Sequence, residues 1–312
     1  MIDFVPAYRT LLASGGFPDR VKQAQAALKD CDLCAWACHV DRTKQVGFCK
    51  TGTEAIVSSA FPHHGEEDPL RGFRGSGTIF FALCNLRCQF CQNYEISQEG
   101  EGEPVSVEQI AGLMLQLQAL GCHNINFVSP SHVIPQIVAA VYRAAKAGLT
   151  IPLVYNTGGY DSLAGLRLLD GIIDIYMPDM KYADPDFGQA YSKVRDYPAH
   201  NQAAVREMHR QVGDLQLDGN GIALRGLLVR HLVLPENIAG TAAIVRFLAE
   251  EISPQTYINV MGQYHPAWRV RERDIAPLNR SVTPTEVDNA KFIALRAGLR
   301  LDQRRGWRFR MV

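Results

Sequence analysis

Short apolar β-rich runs alternate with stretches of helical period along most of this 312-residue chain, and that alternation restricts the fold more than any other feature. The runs are TIFFAL (78–83), NINFVS (124–129), IPLVYN (151–156), IIDIYM (172–177), RGLLVRHLVL (225–234) and QTYINVM (255–261). Between them lie VEQIAGLMLQLQAL (107–120), HVIPQIVAAVYRAAKAG (132–148), DSLAGLRLL (161–169) with Asp161 as its cap, the solvated pair FGQAYSKVRD and AAVREMHRQVGDL, and TAAIVRFLAEE (241–251). Parallel neighbours need a crossover long enough to bring the chain back, so this order predicts βα units around a parallel sheet. Six strands predict an α/β fold built on a partial (β/α)6 TIM-like barrel, too few for an eight-fold closure. The barrel is expected over 76–270. Before it, 1–75 reads as a helical region (RVKQAQAALK with Val21, Ala24 and Leu28 on one face) and then a loop-rich, cysteine-rich module. After it, 271–312 reads as a C-terminal helix and an edge strand, RRGWRFRMV, in which Trp307, Phe309 and Met311 alternate with Arg308 and Arg310.

Lys and Arg number 32 and so do Asp and Glu, a net charge of zero that argues against a protein built to coat nucleic acid or an anionic membrane. No apolar run approaches the roughly 18 residues of a membrane helix. MIDFVPAYRT carries no basic and apolar leader pattern, so a cytoplasmic protein is expected.

In parallel sheets of this kind, function sits at the carboxyl ends of the strands. Here those ends read Leu83-Cys84-Asn85, Val128-Ser129-Pro130-Ser131-His132, Tyr155-Asn156-Thr157-Gly158-Gly159, Met177-Pro178-Asp179-Met180-Lys181, Leu234-Pro235-Glu236 and Met261-Gly262-Gln263-Tyr264-His265. All six are polar, small or ionisable, which points to one site along that edge.

The eight cysteines divide unevenly: Cys31, Cys34, Cys38 and Cys49; then Cys84, Cys88 and Cys91; and Cys122 alone, read as a small core residue. In a reducing compartment such clusters are metal ligands rather than disulfides. Cys84-x3-Cys88-x2-Cys91 follows the first strand directly. Three thiolates on a four-iron cluster leave one iron open to a substrate or cofactor, whereas an electron-transfer cluster is normally closed by a fourth cysteine. A catalytic zinc with an open position is the competing reading.

At these residues the chain resembles the radical S-adenosylmethionine (SAM) superfamily, whose signature has this cysteine spacing with an aromatic, here Phe90, before the last. The likeness runs through GSGTIFFALCNLRCQFCQNYEIS (75–97) into the strand ends, over roughly 31–270, and is nearest to the pyruvate formate-lyase activating enzyme-like group with a cysteine-rich N-terminal segment. The resemblance implies an oxidoreductase with a [4Fe–4S] cluster on Cys84, Cys88 and Cys91. Its reduced form cleaves SAM to a 5′-deoxyadenosyl radical that takes hydrogen from a substrate, by analogy a glycine of a partner glycyl radical enzyme. It also implies a low-potential reductant such as flavodoxin or ferredoxin. Phe90 then packs by the adenine. Ser129 and Ser131 stand where the family has a glycine-glycine-glutamate stretch that holds the SAM amino group, so SPSH is a departure. Asn156 and Thr157 match a strand end that contacts SAM, and Asp179 and Lys181 match the Asp-x-Lys element beside it. Arg230 lies within an apolar β-run, where a charge is costly unless paired, and is assigned to the SAM carboxylate or ribose. His265 is assigned to the adenine or the substrate, and His231, on the opposite strand face, to structure.

Cys31-x2-Cys34-x3-Cys38-x10-Cys49 supplies a full ligand set for a second metal, tetrahedral zinc or a closed iron–sulfur cluster. His39 beside it reads as solvated, as does the loop FPHHGEEDP (61–69), whose His63, His64, Glu66 and Glu67 offer an alternative metal site. Two rival functions stay open: radical modification of another peptide, protein or small molecule, and an iron–sulfur electron carrier without SAM turnover.

Overall fold

The computed structural model describes residues 4–302. The expected edge strand RRGWRFRMV lies outside them. Eleven α-helices are assigned: α1 (Ala7–Ala13), α2 (Phe17–Ala26), α3 (Asp68–Arg71), α4 (Val107–Ala119), α5 (Ile134–Lys146), α6 (Leu163–Leu169), α7 (Pro185–Ser192), α8 (Tyr197–Val212), α9 (Thr241–Phe247), α10 (Trp268–Arg273) and α11 (Pro284–Arg296). The strands are β1 (Ala55–His63), β2 (Ser76–Phe81), β3 (Glu103–Val105), β4 (Ile125–Val128), β5 (Leu153–Thr157), β6 (Ile175–Pro178), β7 (Gln216–Leu217), β8 (Ala223–Leu232), β9 (Tyr257–Met261) and β10 (Arg300–Leu301).

They form one mixed, mostly parallel α/β sheet in the order β10-β9-β8-β6-β5-β4-β2-β1-β3, with β7 paired to β8. The neighbours from β2 to β10 pair parallel. The β1–β2 and β1–β3 pairs are antiparallel. The six expected strands are β2, β4, β5, β6, β8 and β9. Side chains alternate between faces with the two-residue period of a strand. Ile79, Phe127, Tyr155, Tyr176, Val229 and Ile258 meet the helices. Val154, Ile175, Met177, Leu228 and Tyr257 pack together on the other face.

Three expectations change. Asp161 does not cap α6: the Ser162 hydroxyl accepts from Gly165 N at 2.9 Å. Asp161 is buried and accepts from Tyr155 Oη at 2.8 Å and Thr157 Oγ1 at 2.7 Å. Part of 31–75 is sheet, because β1 covers β2; its Ser, Ala and Pro content masked it. The third concerns FPHHGEEDP, which is not a solvated loop. Its first three residues end β1, and Glu67 is buried. Cys122 lies in the core just before β4, as a small hydrophobe should.

Candidate active site

The chain leaves β2 through Leu83, a non-glycine residue at φ 67°, and carries the three-cysteine loop over the carboxyl ends of the neighbouring strands. A cavity of about 320 Å³ lies there. Its wall contains Cys84, Cys88, Cys91 and Phe90 from the loop. It also contains Ser129, Asn156, Thr157, Asp179, Lys181 and Arg230 from the ends of β4, β5, β6 and β8.

Each sulfur meets a hydrogen-bonding group. Leu86 N–H donates to Cys84 Sγ at 3.4 Å and the Ser192 hydroxyl to Cys88 Sγ at 3.0 Å. Cys91 Sγ and Ser97 Oγ are 3.1 Å apart. Burial pushes the Cys84 thiol up to about 12 and raises Cys88 as well, against the pull of Lys181. Metal binding must therefore release protons, and hydrogen-bond donors to sulfur favour the thiolate that remains.

Strand register builds the charged part. Asp179 bridges Arg230 across β6 and β8, where Met180 N–H donates to Arg230 O at 2.8 Å. Arg230 Nε then donates to Asp179 Oδ1 at 2.8 Å, and Lys181 Nζ to Oδ2 at 2.5 Å. These side chains are 14–21% exposed, so this is no surface salt bridge. Burial pushes the Asp179 carboxyl up, but Arg230 and Lys181 more than offset it and hold it below the ordinary value. Burial works against the Lys181 ammonium too, yet Asp179 and Cys88 raise it overall. All three therefore stay ionised at neutral pH, and each cation keeps N–H donors that Asp179 does not use.

Two expected cofactor residues lie elsewhere. Ser131 is behind the wall, its hydroxyl 3.0 Å from Thr157 Oγ1 in the buried network around Asp161. His265 is exposed and reaches the site only through Gln92, whose Nε2 is 3.1 Å from His265 Nδ1. Thr157 does line the cavity, although its hydroxyl is committed to Asp161 and to Gly159 N–H. Phe90 packs edge-on to Tyr264 (5.8 Å) and Tyr182 (6.5 Å). His231 is buried between Met180 O and Thr241 Oγ1, the structural role expected of it. Sequence reasoning missed Gln92, Ser97 and Ser192. Ser192 is 104 residues from Cys88, and nothing in its local sequence marks it.

The four N-terminal cysteines lie in a turn-rich segment packed against the same edge. Trp36 Nε1 donates to Asn85 O at 2.5 Å, and Arg87 donates to Phe48 O at 2.9 Å. Cys38 Sγ and Cys49 Sγ each lie 3.5 Å from the place a Cβ on Gly47 would occupy, so they face one small space. Cys31, Cys34 and Cys49 are buried, and His39 is exposed and paired with Asp30.

The donor set fits an iron–sulfur cluster with one open iron: three thiols face one cavity, each beside a hydrogen-bonding group, and the cavity wall holds no fourth cysteine and no histidine. Among the described residues no three Cys, His, Asp or Glu side chains are placed to hold one metal ion. Cluster thiolates bind separate irons and need not converge on a point. No helix among the described residues is long and apolar enough to cross a membrane.

The family described as the Radical SAM superfamily matches residues 78–248. An uncharacterized protein of Methanocaldococcus jannaschii is 29% identical over 290 residues, covering 90% of this chain and 79% of that protein. Among solved structures, Streptococcus suis SuiB aligns at a TM-score of 0.45 with 11% identity, over 70% of this chain and 46% of its own. The FeFe-hydrogenase maturase HydG of Carboxydothermus hydrogenoformans aligns at 0.47 with 14% identity, over 73% of this chain and 53% of its own. The chain thus spans about half the length of either protein.

Proposed function

The chain belongs to the radical SAM superfamily, and from that premise we propose that it is a hydrogen-abstracting enzyme of the pyruvate formate-lyase activating enzyme-like kind, acting on a glycine of a partner protein. In this reading Cys84, Cys88 and Cys91 hold a [4Fe–4S] cluster. When bound and reduced by a flavodoxin or ferredoxin, it supplies the electron that cleaves SAM to a 5′-deoxyadenosyl radical. Lys181 and Arg230 present N–H donors to the SAM carboxylate and ribose. Asp179 keeps both cations charged and oriented. Phe90 offers an apolar edge for the adenine, and Asn156 a polar contact beside it. The six parallel strands of 76–270 serve as the partial (β/α)6 barrel that shields the site, flanked by the units 1–75 and 271–312. Cys31, Cys34, Cys38 and Cys49 hold a second metal, with a closed cluster favoured over zinc because, among the described residues, their thiols are not gathered about one ion; counts of iron, sulfide and zinc in the wild type against a Cys31→Ala/Cys34→Ala variant test it.

The observation that carries this reading is the meeting of three thiols with the Lys181–Asp179–Arg230 triad in one cavity. Anaerobically reconstituted protein is expected to release 5′-deoxyadenosine with dithionite and SAM. Substituting Cys84, Cys88 and Cys91 together by alanine should abolish both the SAM-sensitive cluster signal and that release. A reduced, intact cluster that releases none favours an electron carrier.

A further inference from the structure

A second cavity of about 250 Å³ adjoins the first and contains no cysteine. The two share Asn156 and Arg230 in their walls, so they are parts of one space. What distinguishes the second is His63, Glu66 and Glu67, brought in between β1 and α3.

Both carboxyl side chains are withdrawn from solvent. Glu67 is 7% exposed, and the Glu66 side chain is 7% exposed. Asn259 Nδ2 donates to Glu67 Oε1 at 3.0 Å. Glu67 Oε2 is buried with no hydrogen-bond partner among the described residues. His63 Nδ1 stands 3.5 Å from Glu66 Oε1, too far for a good hydrogen bond. The strong cation nearby, Arg230, is held to Asp179. Glu66 and Glu67 hydrogen-bond to each other and feel the Arg230 charge, and Asn259 adds one amide donor. A ligand rich in N–H donors can take the place of the proton between them and reach the Glu67 oxygen that lacks a partner.

We propose that this cavity is a substrate subsite for a cationic nitrogen group, an alkylammonium or a guanidinium, received by Glu66 and Glu67 beside the SAM cavity. The radical SAM reading supplies only the word substrate; the binding site stands without it. Among the described residues no three of these side chains are placed to hold one metal ion, which favours a nitrogen cation over a metal.

The occupied and empty states differ in protonation. Burial, with Glu67 alongside, pushes the Glu66 carboxyl up to about 8. The groups facing it are Glu67, Arg230 from β8, Asp179 from the end of β6, and His63 from β1. Glu66 therefore holds its proton in the empty cavity at neutral pH. An alkylammonium stays charged to about pH 10 and must displace that proton. Its affinity is expected to rise as pH climbs towards 8.

The test uses the reconstituted full chain with SAM, titrated with n-butylammonium, a lysine- or arginine-containing tripeptide, 1-butanol, or manganese(II) alone. The charged nitrogen probes should raise the thermal midpoint, more strongly at pH 8 than at pH 6.5, and 1-butanol should not. Preference for the tripeptide identifies a peptide source, and preference for the free amine a small molecule. Glu67→Gln should weaken binding at least tenfold, and Glu66→Gln should remove the pH dependence, both with SAM affinity unchanged. The wild-type pH profile needs no variant, so a variant that fails to fold leaves the test intact. Equal responses to 1-butanol, a response to manganese alone, or variants that lose SAM in place of the amine each overturn the proposal. Amine binding without 5′-deoxyadenosine release sinks the enzyme reading and leaves the subsite; release without amine binding sinks the subsite alone.

Discussion

Asp179 faces two cations at once, Arg230 at 2.8 Å and Lys181 at 2.5 Å, in a setting where neither charge has ready access to water. Removing the shared anion leaves two buried charges uncompensated, which costs about 3 kcal/mol or more. Asp179→Asn is therefore expected to lower the urea midpoint and to weaken SAM binding at least tenfold; unchanged values for both count against the triad as the SAM cradle. The components of this triad were legible in the sequence, since Arg230 is a charge inside an apolar run and Asp179 and Lys181 end a strand. Their mutual contact was not, because it depends on the β6–β8 register. Ser131 shows the opposite case. It ends a strand as Ser129 does, but its hydroxyl turns to Thr157 and Asp161, away from the cavity.

Among the elements, the N-terminal cysteine segment contains no strand, and besides ties such as Trp36 to Asn85 and Arg87 to Phe48 one buried side chain joins its two ends. Arg42 donates to Thr51 O at 3.1 Å, Gly52 O at 2.8 Å and His132 O at 2.7 Å, and lies 3.8 Å from Cys31 Sγ. One planar fork thus ties both ends of the segment to the end of β4, a geometry lysine cannot reproduce. Arg42→Ala leaves three carbonyls without their donor, at roughly 1–3 kcal/mol for each that stays buried. Limited proteolysis should then cut within 31–52 at least tenfold faster, with Arg42→Lys giving little rescue; equal cleavage rates would show that the segment is held by something else. The cysteines of this segment stand out in the sequence, but Arg42 does not, being one basic residue among 32.

At the scale of the whole molecule, Asp174 links the first helix to the sheet. Its carboxylate accepts from Ala7 N at 2.7 Å and Leu153 N at 3.0 Å. Burial outweighs those bonds and pushes the carboxyl up to about 7. An unfolded aspartate titrates near pH ~3.9, so between there and 7 the folded state binds the extra proton. Stability contributed by this group is greatest below pH ~4, declines as pH rises to about 7 and is flat above. Urea midpoints measured from pH 5 to 7 should fall more steeply for the wild type than for Asp174→Asn, which cannot titrate; parallel curves would refute the assignment. The sequence by itself determined the six βα strands, the three-cysteine loop at the first strand end and the run of polar strand ends, because hydrophobic period and ligand spacing are local properties. Only the tertiary structure decided which of those polar ends share a cavity, that Ser192 serves Cys88, that Glu66 is withdrawn from solvent and that Glu67 is held to Asn259 of β9. Those facts depend on register and on contacts up to 192 residues apart, which no local pattern encodes.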